Sequence, residues 1–163
     1  MRMDFIIKVT GLALAALVLG VVGYATAQDK PADNMQILRE KIKADKKLLV
    51  AANMDLTESE AKSFWPIYDQ YQKDLQKINQ RIAKVIESYA EDYRGLSLTN
   101  DKARKLIDEA LAIDKAEADL KGAYAPKLTA VLPAKKAMRY LQIENKIRAV
   151  VRYDIASGVP LVR

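Results

Sequence analysis

The chain contains neither cysteine nor histidine in its 163 residues, and these two absences exclude most of the common catalytic chemistry. Without cysteine there are no disulfides and no thiol nucleophile. Without histidine the chain lacks the usual general base and the commonest protein ligand of metal ions. It also has no glycine-rich phosphate-binding loop. We therefore expect no enzymatic activity, no cofactor and no metal site.

Glycine is scarce as well, and beyond residue 27 it occurs only at Gly95, Gly122 and Gly158. Runs of β-branched residues are missing, and apolar residues recur every three or four positions rather than every two. That period is typical of α-helices and not of half-buried strands. The sequence therefore predicts an all-α fold.

The first 27 residues have the three parts of a secretory signal peptide. Arg2 and Lys8 form a positive start, residues 9–22 are uncharged and mostly apolar, and Ala25-Thr26-Ala27 is a small-residue cleavage site. The apolar stretch is shorter than the roughly 20 residues that span a bilayer, which disfavours an uncleaved anchor. We expect cleavage after Ala27, which leaves residues 28–163 with a net charge of +5 in a bacterial periplasm.

The remaining sequence divides into a short linker at 28–32, a single helical domain at 33–157 and a C-terminal tail at 158–163. Asp33, with Gln36 three residues later, predicts the start of a first helix that ends at about Asn53. The predicted inner face of this helix consists of Met35, Leu38, Ile42, Leu49 and Ala52.

The second helix has the strongest start signal. Thr57 and Glu60 form the pattern of a capping box, and Leu56 stands where a hydrophobic staple forms. Pro66 predicts a kink near Trp65. Apolar residues follow at spacings of 4, 3, 4, 3, 4, 3, 4 and 4: Phe64, Tyr68, Tyr71, Leu75, Ile78, Ile82, Val85, Tyr89 and Tyr93. This heptad pattern predicts a left-handed crossing against a partner helix.

Two further helices follow. Arg94-Gly95-Leu96-Ser97 predicts the end of the second helix, and Leu98-Thr99 predicts the start of the third. Pro126 predicts a kink or a break in the third helix, and Leu132-Pro133 predicts a fourth helix with the proline in its first turn. The predicted inner faces are Leu106, Ala110, Ile113, Leu120 and Tyr124 in the third helix, and Ala137, Tyr140, Ile143, Ile147 and Val150 in the fourth.

The starts of the second and fourth helices repeat each other. Leu56, Thr57, Ala61, Phe64, Trp65 and Ile67 match Leu132, Pro133, Ala137, Tyr140, Leu141 and Ile143 at identical spacing. One repeat is therefore a helix start that follows a leucine, continued by an amphipathic helix.

The length of the second helix predicts an elongated molecule. Residues 57–93 would span about 55 Å as a helix, whereas a compact globule of this size has a radius of gyration of only about 14 Å. We expect a four-helix elongated antiparallel hairpin or a curved sheet of helices. A second copy would cover its exposed heptad seam, so we also expect a homodimer.

Basic residues are concentrated in two places. We define the basic stripe as Lys73, Lys77, Arg81 and Lys84, which recur at one side of the second helix. Residues 127–152 contain seven basic residues, including Arg139 and Lys146, against one acid, Glu144. A solvated surface explains this pattern, and a basic face that attracts acidic, partly unfolded polypeptides is the alternative.

These features together resemble the Spy/CpxP family of periplasmic stress proteins, which is defined by a Leu-Thr-x-x-Gln motif that usually occurs twice. The first copy here is Leu56-Thr57 with Glu60 in place of glutamine, and the second is Leu132-Pro133 with Lys136. The resemblance covers nearly all of residues 33–155. It implies a cradle-shaped, all-α antiparallel dimer of bent helical hairpins, in which the motif residues are structural.

The resemblance implies ATP-independent chaperone activity toward unfolded or partly folded envelope proteins. From the charges we assign the client-binding face to Lys73, Lys77, Arg81, Lys84, Arg139 and Lys146. One alternative is an adaptor that binds and restrains the domain of an envelope sensor kinase. Another is a structural envelope protein that binds peptidoglycan or the lipid of a membrane surface. Export argues against nucleic acid as a partner.

Overall fold

A computed structural model describes residues 40–42 and 44–162. Its four long elements are α1 (Lys46–Met54), α2 (Glu58–Gly95), α3 (Asn100–Val131) and α4 (Ala134–Gly158), and residues 40–42 and 44 are also helical. The described part contains no strand, so the all-α prediction is confirmed. The signal peptide, its cleavage after Ala27, the linker at 28–32 and the predicted start of the first helix lie outside the described residues.

The first helix differs from its prediction at Asp45. This residue has an extended backbone, which interrupts the predicted helix. Its side chain accepts a hydrogen bond from the amide of Leu48 at 3.0 Å, so Asp45 is the N-cap of α1, which begins at Lys46. Of the predicted inner face, Leu49 is buried and Ala52 is exposed. The expectation for Ala52 was wrong because the buried residues of α1 are Leu49, Val50, Asn53 and Met54, a face turned away from residue 52.

Helices α2 and α3 lie antiparallel. Lys102 bonds the Asp92 carboxylate at 2.5 Å near the turn, and the Tyr124 hydroxyl donates to Asp74 at 2.7 Å near the other end. As predicted, Thr99 caps α3, since its side chain accepts from the amide of Lys102 at 3.3 Å. The turn itself passes through Leu96, which has a left-handed backbone with φ of 50°.

An aromatic cluster joins α2, α3 and α4. The ring of Tyr140 lies 5.1 Å from Phe64 and 6.0 Å from Tyr71, and the Tyr71 and Tyr124 rings are 5.3 Å apart, all in edge-to-face geometry. Such pairs stabilise a core beyond the area that they bury. The first five seam residues, Phe64 to Ile78, are buried, whereas Ile82, Val85, Tyr89 and Tyr93 are half-buried.

Both internal prolines lie within continuous helices. Pro66 is in α2 and Pro126 is in α3, which runs on to Val131, so the alternative of a break at Pro126 was wrong. Two buried residues explain the continuity, because Tyr124 and Leu128 hold the chain against the core on either side of the proline. The Thr129 hydroxyl also donates to the carbonyls of residues 125 and 126.

The predicted inner face of α4 is confirmed, since Ala137, Tyr140, Ile143, Ile147 and Val150 are all buried. Pro133 is the N-cap of α4 and precedes its first turn, which corrects the predicted position by one residue. In α3 the residues Ile113 and Tyr124 are buried and Leu106 and Leu120 are half-buried, as expected, but Ala110 is exposed and Glu117 is buried instead. The expectation for Ala110 was wrong because the hydrophobic core cluster contacts α3 through its C-terminal half, at Leu120, Tyr124 and Leu128. Burial of Glu117 was not expected, and it follows from the pairing of its carboxylate with two arginines.

Among residues 40–42 and 44–162, no helix combines the length and the apolar character that crossing a membrane requires.

Candidate protein-binding surface

The first copy of the repeated motif forms the capping box that its sequence predicts. The Thr57 hydroxyl accepts a hydrogen bond from the amide of Glu60 at 3.3 Å, and the Glu60 carboxylate accepts one from the amide of Thr57 at 2.8 Å. Leu56 packs against the hydrophobic core. The motif therefore fixes where α2 begins and how the chain enters it.

The second copy contacts the first. Leu132 is buried, and the Lys136 ammonium donates to the carbonyl of Asp55 at 2.8 Å and to the carboxylate of Glu60 at 2.5 Å. The hydrogen bond from Lys136, followed by that from the Thr57 amide, lowers the pKa of Glu60. The sequence contained a signal for this contact, because Glu60 and Lys136 occupy matching positions of the repeat with opposite charges.

The basic stripe lies on the outer side of α2, and acids offset half of its charge. Lys77 pairs with Asp74 at 2.8 Å, and Arg81 makes two hydrogen bonds, of 2.8 and 3.1 Å, to Glu109 of α3. The hydrogen bond from Arg81 lowers the pKa of Glu109. Lys73 and Lys84 are exposed.

The two basic residues of α4 are not brought into this stripe. In the middle of α2, Gln72 and Asn79 bond α4 through Glu144 and Arg148. At about 100° per residue, the basic stripe lies on the far side of α2 from these two side chains. Arg139 instead donates from Nε to the backbone carbonyl of Asn53, and Lys146 is exposed on α4.

A groove runs between α3 and α4. We define the α3–α4 groove by its lining residues, and its volume is about 610 Å³. The lining residues are Asp114, Glu117, Ala118 and Lys121 on α3, with Asn145, Arg148, Ala149 and Arg152 on α4. Small side chains at residues 118 and 149 keep the groove open in its middle.

The floor of the groove is a buried ionic pair. Glu117 and Arg148 are only 5% and 9% exposed, and the guanidinium of Arg148 bonds the Glu117 carboxylate and, at 2.8 Å, the amide oxygen of Asn79. Arg152 adds a bond to Glu117 at 2.9 Å and one to Asp114 at 2.6 Å. Burial raises the pKa of Glu117, but the hydrogen bonds from the two arginines outweigh it, and the pKa is lowered.

Lys121 stands apart from this network. Its side chain is half-buried and lines both the groove and a cavity of about 10 Å³ beneath it, next to Tyr71 and Glu144. Glu144 is already bonded to Lys46 at 2.8 Å and to Gln72 at 2.8 Å. Among the described residues, no acid lies within ion-pair distance of Lys121, whose side chain lines the groove.

Both walls of the groove extend into exposed apolar side chains. On α3, a face with spacings of 4, 3, 4 and 3 is formed by Ile107, Leu111, Asp114, Ala118 and Lys121. On α4, a face with the same spacings is formed by Met138, Gln142, Asn145, Ala149 and Arg152. Ile107, Leu111 and Met138 are 58%, 63% and 61% exposed. Because heptad spacing places residues on one side of a helix, these apolar side chains continue the lining of the groove.

The apolar spacing of α3 predicts one buried face, so the groove is not evident from the sequence. Only two of the five residues of the second face, Ile107 and Leu111, are large and apolar. No cluster of acidic side chains in the described part of the chain is arranged to hold a metal ion.

No family model, curated protein or solved structure matches this chain. The membership in the Spy/CpxP family therefore stays a prediction from the motif residues.

Proposed function

We propose that this protein is an exported, ATP-independent polypeptide-binding protein of the Spy/CpxP type, which holds unfolded or partly folded envelope proteins in the periplasm. Short polypeptide segments of these envelope proteins bind in the α3–α4 groove. The repeated motif supports the family likeness, since the contact of Lys136 with Glu60 gives both of its copies a common structural role. The proposal includes the finer architecture, an elongated, cradle-like antiparallel hairpin of long kinked helices that forms a homodimer.

The observation that best supports this function is that the groove combines charged and exposed apolar side chains. Charged side chains line its middle, and large apolar side chains that are more than half exposed continue each wall. Exposed apolar residues bordered by polar ones are typical of surfaces that bind other proteins. The face from Ile107 to Lys121 is about 21 Å long, enough for about six residues of an extended polypeptide.

Binding of this kind requires no catalytic residue, in keeping with a chain that lacks cysteine and histidine. An adaptor for a sensor domain and a protein that binds peptidoglycan or membrane lipid are the competing functions. Each of them predicts binding to one dedicated partner and no effect on unrelated unfolded proteins.

The test is suppression of aggregation without nucleotide. The purified protein is added at rising ratios to several chemically unfolded client proteins while light scattering is followed. We expect suppression that saturates near stoichiometric ratios. Leu111→Ser should weaken it, whereas Leu48→Ser, which alters a side chain of similar exposure on α1 (67% against 63%), should not.

Two results would contradict the proposal. No suppression for any client would favour an adaptor or an envelope-binding role. Equal suppression by both serine variants and the unaltered protein would place the binding surface outside the α3–α4 groove.

A further inference from the structure

We propose that the α3–α4 groove selects acidic polypeptide segments, and that Lys121 is the residue that binds the carboxylate. This inference rests on the proposed function, because it names the class of segment that the same groove takes. It assigns specificity to a residue outside the basic stripe.

The charges around the groove leave one positive charge in excess. Its lining contains three cations, Lys121, Arg148 and Arg152, and two carboxylates, Asp114 and Glu117. Both carboxylates are bonded to the arginines, and Glu144 beneath the groove is bonded to Lys46. The excess charge therefore lies at Lys121, and a carboxylate is the group that complements it.

The position of Lys121 makes such a contact strong. Its side chain is half-buried and lines the small cavity beneath the groove together with Tyr71, so that a carboxylate bound to it would be partly shielded from water. Hydrogen bonds between ionised groups are shorter and stronger than neutral ones, and shielding strengthens them further. The half-exposed Arg152 on the opposite wall adds attraction at longer range.

The α3 face also sets the spacing of the preferred segment. Leu111 and Lys121 are ten residues apart on one helix, which corresponds to about 15 Å along its axis. An extended polypeptide covers that distance in about four to five residues. The groove therefore favours an acidic residue four or five positions from a large apolar residue.

Fluorescence anisotropy tests this with two labelled peptides. One contains a leucine and, four or five residues away, a glutamate, and the other has glutamine in place of the glutamate. The unaltered full-length protein should bind the glutamate peptide about tenfold or more tightly, as expected for a hydrogen bond between ionised groups. In Lys121→Gln the two peptides should bind alike.

Lys105→Gln is the matched control. It removes the same charge from the same helix, and Lys105 is exposed on the side of α3 that faces away from the groove. This variant should keep the preference for the glutamate peptide. Unchanged thermal unfolding of both variants would show that the fold is intact.

Three results would overturn the inference. They are equal affinity of the unaltered protein for both peptides, a preference that survives in Lys121→Gln, and a preference lost equally in Lys105→Gln. Each is distinct from failure of the proposed function. If the unaltered protein binds both peptides equally, the aggregation assay separates the two proposals. Suppression that Leu111→Ser weakens would still identify the groove as the binding surface, and only its selectivity for acidic segments would be wrong.

Discussion

The ammonium group of Lys136 lies 2.5 Å from the carboxylate of Glu60, so the two copies of the repeated motif are in contact across the molecule. Glu60 at the same time completes the cap of α2 through the Thr57 amide. One carboxylate thus links the start of α2 to the first turn of α4. The structural consequence of the repeat is therefore a direct contact between its two copies.

A charge exchange at this contact should show that it stabilises the fold. Lys136→Glu should lower the temperature of thermal unfolding, because it places two carboxylates together and removes the donor to the Asp55 carbonyl. Glu60→Lys in the same chain should restore part of the loss, since opposite charges then meet again. Melting followed by circular dichroism would measure this. If the unfolding temperature of the double variant falls by the sum of the decreases in Lys136→Glu and Glu60→Lys, the pair contributes nothing to stability.

Acid should destabilise the protein through its paired carboxylates. The folded state lowers the pKa of Glu60 and Glu117 below the ordinary value of 4.5. Their contribution to the free energy of unfolding is fully present above that value and is lost as the pH falls through the lower, folded pKa. We therefore expect the unfolding temperature to fall steadily below about pH 4.5. An unfolding temperature that stays constant or rises in that range would contradict the assignment of these pairs.

The buried pair in the floor of the groove should be essential to stability. Glu117→Gln leaves the guanidinium of Arg148 buried without a full negative charge, which costs about 3 kcal/mol of unfolding free energy by analogy with other broken buried pairs. Urea unfolding would measure this. Asp119→Asn is the control, since it alters an exposed pair with Lys115 on the same helix and should have little effect. Equal effects of the two substitutions would mean that the Glu117 pair is not shielded from water.

Leu96→Gly should stabilise the protein. Leu96 is exposed and has a φ of 50°, a left-handed backbone that costs a residue with a β-carbon about 1–2 kcal/mol. The greater freedom of glycine in the unfolded chain offsets part of the gain, so we expect a net increase of about 0.5–1 kcal/mol in unfolding free energy. Leu111→Gly, at a similarly exposed leucine inside α3, should destabilise instead. The same sign for both substitutions in urea unfolding would contradict this account.

Local sequence signals predicted where most of the helices begin. They did not predict the buried positions that depend on contacts between helices. Thr57 and Thr99 cap helices where the sequence placed them, because capping depends on residues within one turn. The buried positions of α4 follow from its apolar spacing for the same reason. By contrast, Glu117 is buried because Arg148 and Arg152 of the neighbouring helix α4 pair with its carboxylate. No periodicity of apolar residues indicates such a position.

The proposed binding surface was the feature least predictable from the sequence. Charge in the sequence alone indicates the basic stripe, but Lys77 pairs with Asp74 one turn away and Arg81 pairs with Glu109 of α3. The α3–α4 groove exists because α3 and α4 both pack on α2 and leave a space between them, and that packing is a property of the fold. The sequence indicated the second face of α3 only weakly, through Ile107 and Leu111.

Crosslinking of an unfolded client tests the central claim most directly. A photoreactive amino acid is placed either at Ala118, which is exposed within the groove, or at Lys84, which is exposed in the basic stripe. Each protein is illuminated with the same client, and the captured fraction is measured. The groove as binding surface predicts efficient capture from position 118 and little from position 84. Capture from position 84 with none from position 118 would contradict it and return the client-binding surface to the basic stripe.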